Sequence, residues 1–407
     1  MKHGAVSIHQ VLGRHAVHPF PARMAPGLVL NALNRLDRPA TVLDPMAGSG
    51  TVLAIARAKG HRTIGFDVDP LAVLLARVWT RTLDAGETRR QAARVLKRAI
   101  ELASDLGGRD AYPIDADEET RAFTRYWFDD GARRQLAGLA RTIKRVRDET
   151  IREALWCSFS RLIIAKQAGV SLALDLAHSR PHRSFDRAPR RPFELFLECV
   201  DRVIKGCVHP GAAHRGPISN VSIGDVRAMP VAERSVDLVF TSPPYLNAID
   251  YLRCSKFSLI WMGYSVAALR DIRSQSIGAE VRGSDDERHR DVLEGLRLRP
   301  ALPQRMNGIL YRYVEDTGRA LGEVARVLAP KGRAVYVVGE NTIRGTYVPT
   351  GRLVARMASA AGLRLLSRRY RDLPANRRYL PPPGVGITGL DARMRREVIL
   401  TFERRTR

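Results

Sequence analysis

One stretch limits the fold more than any other: "TVLDPMAGSGTVLAIARAKGHRTIGFDVDP", residues 41–70. "TVLD" is a short strand-forming run. A turn holding Gly48 and Gly50 follows, then "TVLAIARAKG", with apolar residues at helical spacing and Gly60 where a helix would close. "HRTIGFD" reads as a second strand, and Asp69–Pro70 as the N-cap and first residue of another helix. Further strands are expected in "ISNVSIGDV", "SVDLVFT", "RAVYVVG", "LRLLSRRYR" and "REVILTFER". Helices are expected in "YLRCSKFSLIWMGY", "YVEDTGRALGEVARVLAPKG" and "TGRLVARMASAAG". Strands alternating with helices on this spacing predict an α/β fold with a doubly wound, mostly parallel sheet.

The alternation is interrupted once. From about residue 81 to 215 the apolar pattern is helical, in "ETRRQAARVLKRAIELASDL", "DDGARRQLAGLARTIKRVRDETIREALWCSFSRLIIAKQAG" and "PFELFLECVDRVIKGCV". "HSRPHRSFDRAPRRP" within it is rich in proline and arginine and is expected to be a loop. The chain thus divides into an N-terminal part of one domain (1–80), a helical insertion (81–215) and a C-terminal part of the same domain (216–407). Residues 274–304, centred on "RGSDDERHRD", are expected to form a mobile loop.

Composition excludes several classes. No apolar run approaches the roughly 18 residues of a membrane span, and "MKHGAVSIHQ" has no secretory h-region. The four cysteines form no C-x-x-C pair, which disfavours zinc sites and disulfides and fits reduced thiols in a cytoplasmic protein. The formal charge of +25 over 407 residues favours a polyanionic partner such as nucleic acid. An arginine-rich surface alone would give the same excess.

In doubly wound sheets ligands bind beyond the carboxyl ends of the strands, so "LDPMAGSGT" (Leu43–Thr51) is the first candidate site. A phosphate-binding P-loop would need a lysine that is missing, and a dinucleotide fingerprint a third glycine at the proper place. S-adenosylmethionine is the remaining reading. Asp44 would face its cationic methionine end, Asp67 at the end of the second strand its ribose hydroxyls, and Asp225 after the third strand its adenine amino group. Any one of these acids taken alone is an ordinary turn former or N-cap. Three of them at successive strand ends, with a glycine turn between the first two, favour a nucleoside cofactor.

The second candidate is "TSPPY", Thr241–Tyr245, at the end of the next strand. Consecutive prolines stop a strand and hold their carbonyls rigidly. Ser242 and the carbonyl near Pro243 can accept the two hydrogens of a planar amino group. That would localise the nitrogen lone pair for in-line attack on a sulfonium methyl, mostly by positioning. Tyr245 offers a face for a base to stack on, with Pro244 completing the corner. A proline-rich turn with a packed aromatic is the bland alternative.

Together, "DPMAGSGT" and "TSPPY" resemble the motifs of the S-adenosylmethionine-dependent DNA amino-methyltransferases, which act on cytosine N4 or adenine N6. The resemblance covers about residues 15–80 and 218–405 and implies a Rossmann-like methyltransferase sheet. It assigns cofactor contacts to Asp44, Pro45, Met46, Ala47, Gly48, Ser49, Gly50 and Thr51. "HPFPARMAP" (His18–Pro26) resembles the segment that closes over the methionine end, which makes His18 and Arg23 cofactor-side residues. Serine before the prolines resembles the cytosine-N4 members, whereas adenine-N6 members more often carry aspartate. The carbon-5 cytosine enzymes are disfavoured because no cysteine here follows a proline. A recognition region between the two motifs would correspond to the insertion, and residues 274–304 are a second candidate for that role. No metal is required. No nuclease motif stands in the chain, so a restriction endonuclease partner would be a separate protein. Methylation of RNA, and a non-catalytic nucleic-acid-binding protein on the same fold, are the other readings.

Arg364, Arg368, Arg369, Arg371, Arg377 and Arg378, interleaved with Tyr370 and Tyr379, suit phosphate contacts and base stacking. Asn247, Asp250, Tyr251 and Lys256, just past the diproline corner, are expected to line the mouth of a substrate site. Trp261, at helical spacing, is expected in the core.

Overall fold

The computed structural model describes residues 6–21, 23–107, 110–174, 176, 181–208, 219–246, 252–277, 295, 304–343, 346–373 and 396–405. Most of the 274–304 segment, together with Asn247, Asp250, Tyr251, Arg377 and Arg378, lies outside the described residues.

The strands are β1 (Thr41–Asp44), β2 (Arg62–Asp67), β3 (Ser219–Ile223), β4 (Val236–Thr241), β5 (Leu328–Gly339), β6 (Asn341–Ile343), β7 (Thr346–Val348), β8 (Leu363–Asp372) and β9 (Arg396–Arg404). Seven of them form one sheet in the order β3-β2-β1-β4-β5-β9-β8, while β6 and β7 pair apart. The pairs from β3 through β5 are all parallel, and β9 runs antiparallel to both of its neighbours. The expected α/β sheet is therefore present, with one reversed strand. The chain leaves β1 towards β2 on one side and takes up β4 on the other. This reversal of winding places a crevice between the carboxyl ends of β1 and β4.

Helices cover both faces of this sheet. They are α1 (Ile8–Leu12), α2 (Pro26–Leu33), α3 (Thr51–Ala58), α4 (Pro70–Thr80), α5 (Ala85–Asp105), α6 (Glu118–Trp127), α7 (Asp130–Lys144), α8 (Glu149–Ile163), α9 (Pro192–Gly206), α10 (Leu252–Leu259), α11 (Val266–Gln275), α12 (Gln304–Val327) and α13 (Thr350–Ala360). Successive strand residues point to opposite faces, and the cores divide accordingly. Val42, Leu238, Phe240, Val335 and Val337 pack with Val29 of α2 and Val52 and Ile55 of α3. Leu43, Val239, Ala334, Tyr336 and Val338 pack with residues of α12 and α13 instead.

The insertion builds a core of its own against α4 and α10. Asp84, Asp117, Asp129 and Asp148 cap α5, α6, α7 and α8 through their side chains. Phe257 of α10 meets Phe123 and Trp127 of α6 at ring-centre distances of 5.1 and 4.9 Å. Trp261 is buried against Phe128 and Phe159, as expected of a core residue. The helix that follows the diproline corner is thus seated on the insertion. The expected helix over "YLRCSKFSLIWMGY" is shorter than its pattern: α10 tightens into a 3-10 turn at Ile260–Met262 and ends at Gly263, whose φ is +103°. The expected strand "RAVYVVG" is longer, since β5 begins at Leu328 and absorbs Pro330-Lys331-Gly332 across a register shift against β4.

Candidate active site

The glycine turn is shaped by close approach. Gly50 precedes α3 with φ +83°, and a Cβ there would lie 2.7 Å from the Cβ of Ala76 in α4. Only glycine lets α3 start this close to α4. Gly65 in β2 does the same for the other side of α3, where an added Cβ would lie 2.4 Å from Leu53 Cδ1. The turn is tied back to the sheet as Ala47 N donates to Phe66 O at 2.8 Å and Gly48 N to Asp67 Oδ2 at 2.8 Å.

Three carboxyls converge on this edge. Asp44 is 3% exposed; its Oδ1 accepts from Thr241 Oγ1 at 2.8 Å and from Met46 N at 3.3 Å. Burial pushes its pKa up to about 7, against the pull of those two hydrogen bonds and with the Asp67 charge adding to the rise. Asp67 also accepts from Asp69 N at 2.9 Å, and burial raises its pKa too. Asp69 caps α4 by accepting from Leu71 N, and takes Ser255 Oγ of α10 at 2.6 Å. Burial, and then Asp67, push its pKa to about 7. A protein of net charge +25 thus carries an acidic pit at one sheet edge. Thr51 Oγ1 is buried in the turn and makes no hydrogen bond. An unpaired hydroxyl and converging carboxyls suit a cationic ligand rich in hydroxyl and amino groups.

The diproline corner stands directly beside this pit. Val42 and Leu43 of β1 register with Leu238 and Val239 of β4, so both strands end together. The Thr241–Asp44 hydrogen bond joins the residue before the corner to the carboxylate before the glycine turn. Ser242 Oγ lies 3.0 Å from Val337 O, and Pro243 is buried.

Comparison of the sequence with known proteins finds methyltransferases. The Type II methyltransferase M.MjaII of Methanocaldococcus jannaschii is 21% identical over 364 residues, covering 69% of this chain and 67% of that protein. The Type II methyltransferase M.MvaI of Kocuria varians is 22% identical over 391 residues, covering 89% and 85%. Among solved structures, an S-adenosylmethionine-dependent methyltransferase of Methanosarcina mazei overlays 93% of this chain and 98% of its own, at 8% identity and a TM-score of 0.34; so loose an overlay adds nothing to the assignment. No protein-family model matches the chain.

Over most of its length the chain is similar to Type II methyltransferases.

The turn described above fits S-adenosylmethionine as a methyl donor. The remaining residues singled out from the sequence are placed less uniformly. Asp225 stands at the carboxyl end of β3, two residues beyond the strand, but Arg227 grips it from Nε at 3.0 and 2.9 Å and holds its pKa low despite burial. Arg227 in turn pairs with Asp316 of α12. His18 is buried with its Nε2 3.0 Å from Ser160 Oγ of α8, and burial drives its pKa well down. Within that segment it is Phe20 that reaches the turn, with Cε1 3.9 Å from where a Cβ on Gly48 would sit. Arg23 is exposed. Lys256 lies over the Phe123 ring at 4.8 Å. Arg368 and Arg369 are exposed on β8, an edge strand. Tyr245 is half-buried and its hydroxyl donates to Glu397 Oε1 at 3.1 Å.

Two neighbours of the site were not singled out from the sequence. Thr241 was legible only as the residue before "SPPY". Glu397 reads as the start of an apolar strand, and only the reversal of β9 brings it to the carboxyl edge of β4 and β5.

Proposed function

We propose that this methyltransferase modifies an exocyclic base amine in DNA, with cytosine N4 the favoured acceptor. The single observation that carries the reading is the Thr241–Asp44 hydrogen bond, which sets the diproline corner beside the donor turn. S-adenosylmethionine, when bound, would supply a sulfonium methyl group as the electrophile. Asp44, the turn from Pro45 to Thr51, and Asp67 would hold this donor, with Asp225, which Arg227 grips, at its adenine end. Ser242 and the main chain near Pro243 accept the two amine hydrogens, Pro244 stiffens the corner, and Tyr245 abuts the base. A hydroxyl rather than a carboxylate at position 242 favours cytosine N4 over adenine N6, by likeness to the cytosine members.

The amine sits inside a duplex, so the base must be extruded to reach this edge. The insertion is the proposed recognition region, because its α6 seats α10 next to the corner. The exposed Arg368 and Arg369 then contact phosphates. Affinity for duplex DNA is expected to fall at least about tenfold between roughly 50 and 200 mM salt, as read by anisotropy; a flat response removes the phosphate contacts.

The deciding experiment is nucleoside mass spectrometry after incubating the protein with DNA and labelled donor. N4-methylcytosine is the expected product. N6-methyladenine would move the acceptor base, and label found only in RNA would move the substrate. Absence of both label and donor binding would support a non-catalytic binding protein on this fold.

A further inference from the structure

A chain of polar groups leaves the diproline corner away from the donor turn. Ser242 Oγ lies 3.2 Å from Tyr245 Oη, and Tyr245 Oη donates to Glu397 Oε1 at 3.1 Å. The other carboxylate oxygen, Oε2, stands 2.7 Å from Nη2 of Arg371 on β8. Glu397 is 8% exposed. A carboxylate buried this far is costly unless it is paired, and a cross-strand pair with Arg371 would account for it as a lock on the β8–β9 register. That lock does not account for the tyrosine hydroxyl aimed at the same carboxylate from the corner.

We propose that Glu397 takes up, through Tyr245 and Ser242, the proton that a base amine must lose when it is methylated. Glu397 is then a positioning residue acting through two hydroxyls, and the inference rests on the amine-methylation reading above. Once the nitrogen lone pair has formed the bond to the methyl carbon, the nitrogen carries one proton in excess. Its N–H bond breaks with the pair returning to nitrogen, and the proton passes to Ser242 Oγ. The proton already on Ser242 moves to Tyr245 Oη, and the one on Tyr245 moves to Glu397 Oε1. The products are a neutral methylated amine and a neutral carboxylic acid, with both hydroxyls restored.

The Ser242 hydrogen has two acceptors to choose between, Val337 O at 3.0 Å and Tyr245 Oη at 3.2 Å. On Val337 it leaves the serine lone pairs facing an incoming amine; on Tyr245 it completes the relay. Arg371 keeps the resting carboxylate charged and able to receive a proton, while burial favours the protonated product.

The test compares Glu397→Gln and Tyr245→Phe with the full wild-type chain under single-turnover conditions, on DNA that the wild type methylates. Each variant is expected to lose about 10²-fold in the methylation rate. Affinities for S-adenosylmethionine and DNA, read by calorimetry, stay within about twofold, and the double variant loses no more than either single one. An infrared difference spectrum across one turnover shows a protonated carboxyl band that Glu397→Gln lacks. A Glu397→Gln rate within about twofold of wild type overturns the relay. Should that variant fail to fold, Tyr245→Phe leaves the Glu397–Arg371 pair intact, and a wild-type rate from it overturns the relay equally. A wild type that modifies no base overturns the parent reading and the relay together, whereas an active wild type with indifferent variants overturns the relay alone.

Discussion

Gly50→Ala is expected to abolish donor binding and to destabilise the fold by about 2–5 kcal/mol. Two costs add. A side chain at φ +83° sits in the left-handed region, worth about 1–2 kcal/mol. The new methyl would also meet Ala76 at 2.7 Å from its Cβ and 2.8 Å from its Cα, and overpacking of that kind costs roughly 1–3 kcal/mol. Because Ala76 is helix backbone as well as side chain, the strain must be relieved by moving α3 away from α4, which opens the turn. Gly48→Ala is the internal control. It has φ +50° but nothing nearer than Phe20 Cε1 at 3.9 Å, so only the conformational cost applies. Thermal denaturation and calorimetric titration with S-adenosylmethionine check both. Equal losses from the two variants would mean that close approach of α3 and α4 does not shape the turn.

Asp44→Ala should weaken donor binding by about 100-fold, the equivalent of one hydrogen-bonded charge contact. It also leaves Thr241 Oγ1 and Met46 N without their acceptor, which loosens the junction between turn and corner. The wild-type protein gives a second handle through pH. The Asp44 carboxyl is pushed up to about 7 from an ordinary 3.8, so near neutrality it is part protonated. A cation bound beside it favours the ionised form. Donor affinity is therefore expected to rise as pH climbs from about 6 to 8, with protons released on binding, and Asp44→Ala should flatten that profile. Stability of the donor-free protein runs the other way. The folded state binds more protons than the unfolded one between 3.8 and about 7, for Asp44 and Asp69 alike. Stability is thus fullest near the acid end of that window and declines as pH passes through it.

The two motif loops and the strands that carry them were legible because each is written locally. Asp69 and Pro70 announce α4, and the glycines at 48 and 50 announce the turn. "REVILTFER" coincides with β9 residue for residue. Helix α6 was harder to find: its "EETRAFTRYW" is more polar than apolar, and it is held by the Asp117 cap and by Phe257 of a distant helix. The pairing of Asp225 with Arg227 was not foreseen, because a carboxylate at a strand end reads the same whether it faces a ligand or an arginine two residues on. His18 was read from a neighbouring motif as a donor contact, while its bond to Ser160 depends on where an insertion helix folds back. Glu397 was illegible for the most general reason. Strand direction within a sheet is a property of topology, and no local pattern states that β9 is reversed.

That reversal also couples two features that lie far apart in the chain. Among the described residues, β8 meets the rest of the sheet only across β9, and Glu397, the carboxylate behind the diproline corner, stands on β9 as well. A change that loosens β9 would therefore undo the edge of the sheet and the support of the corner together.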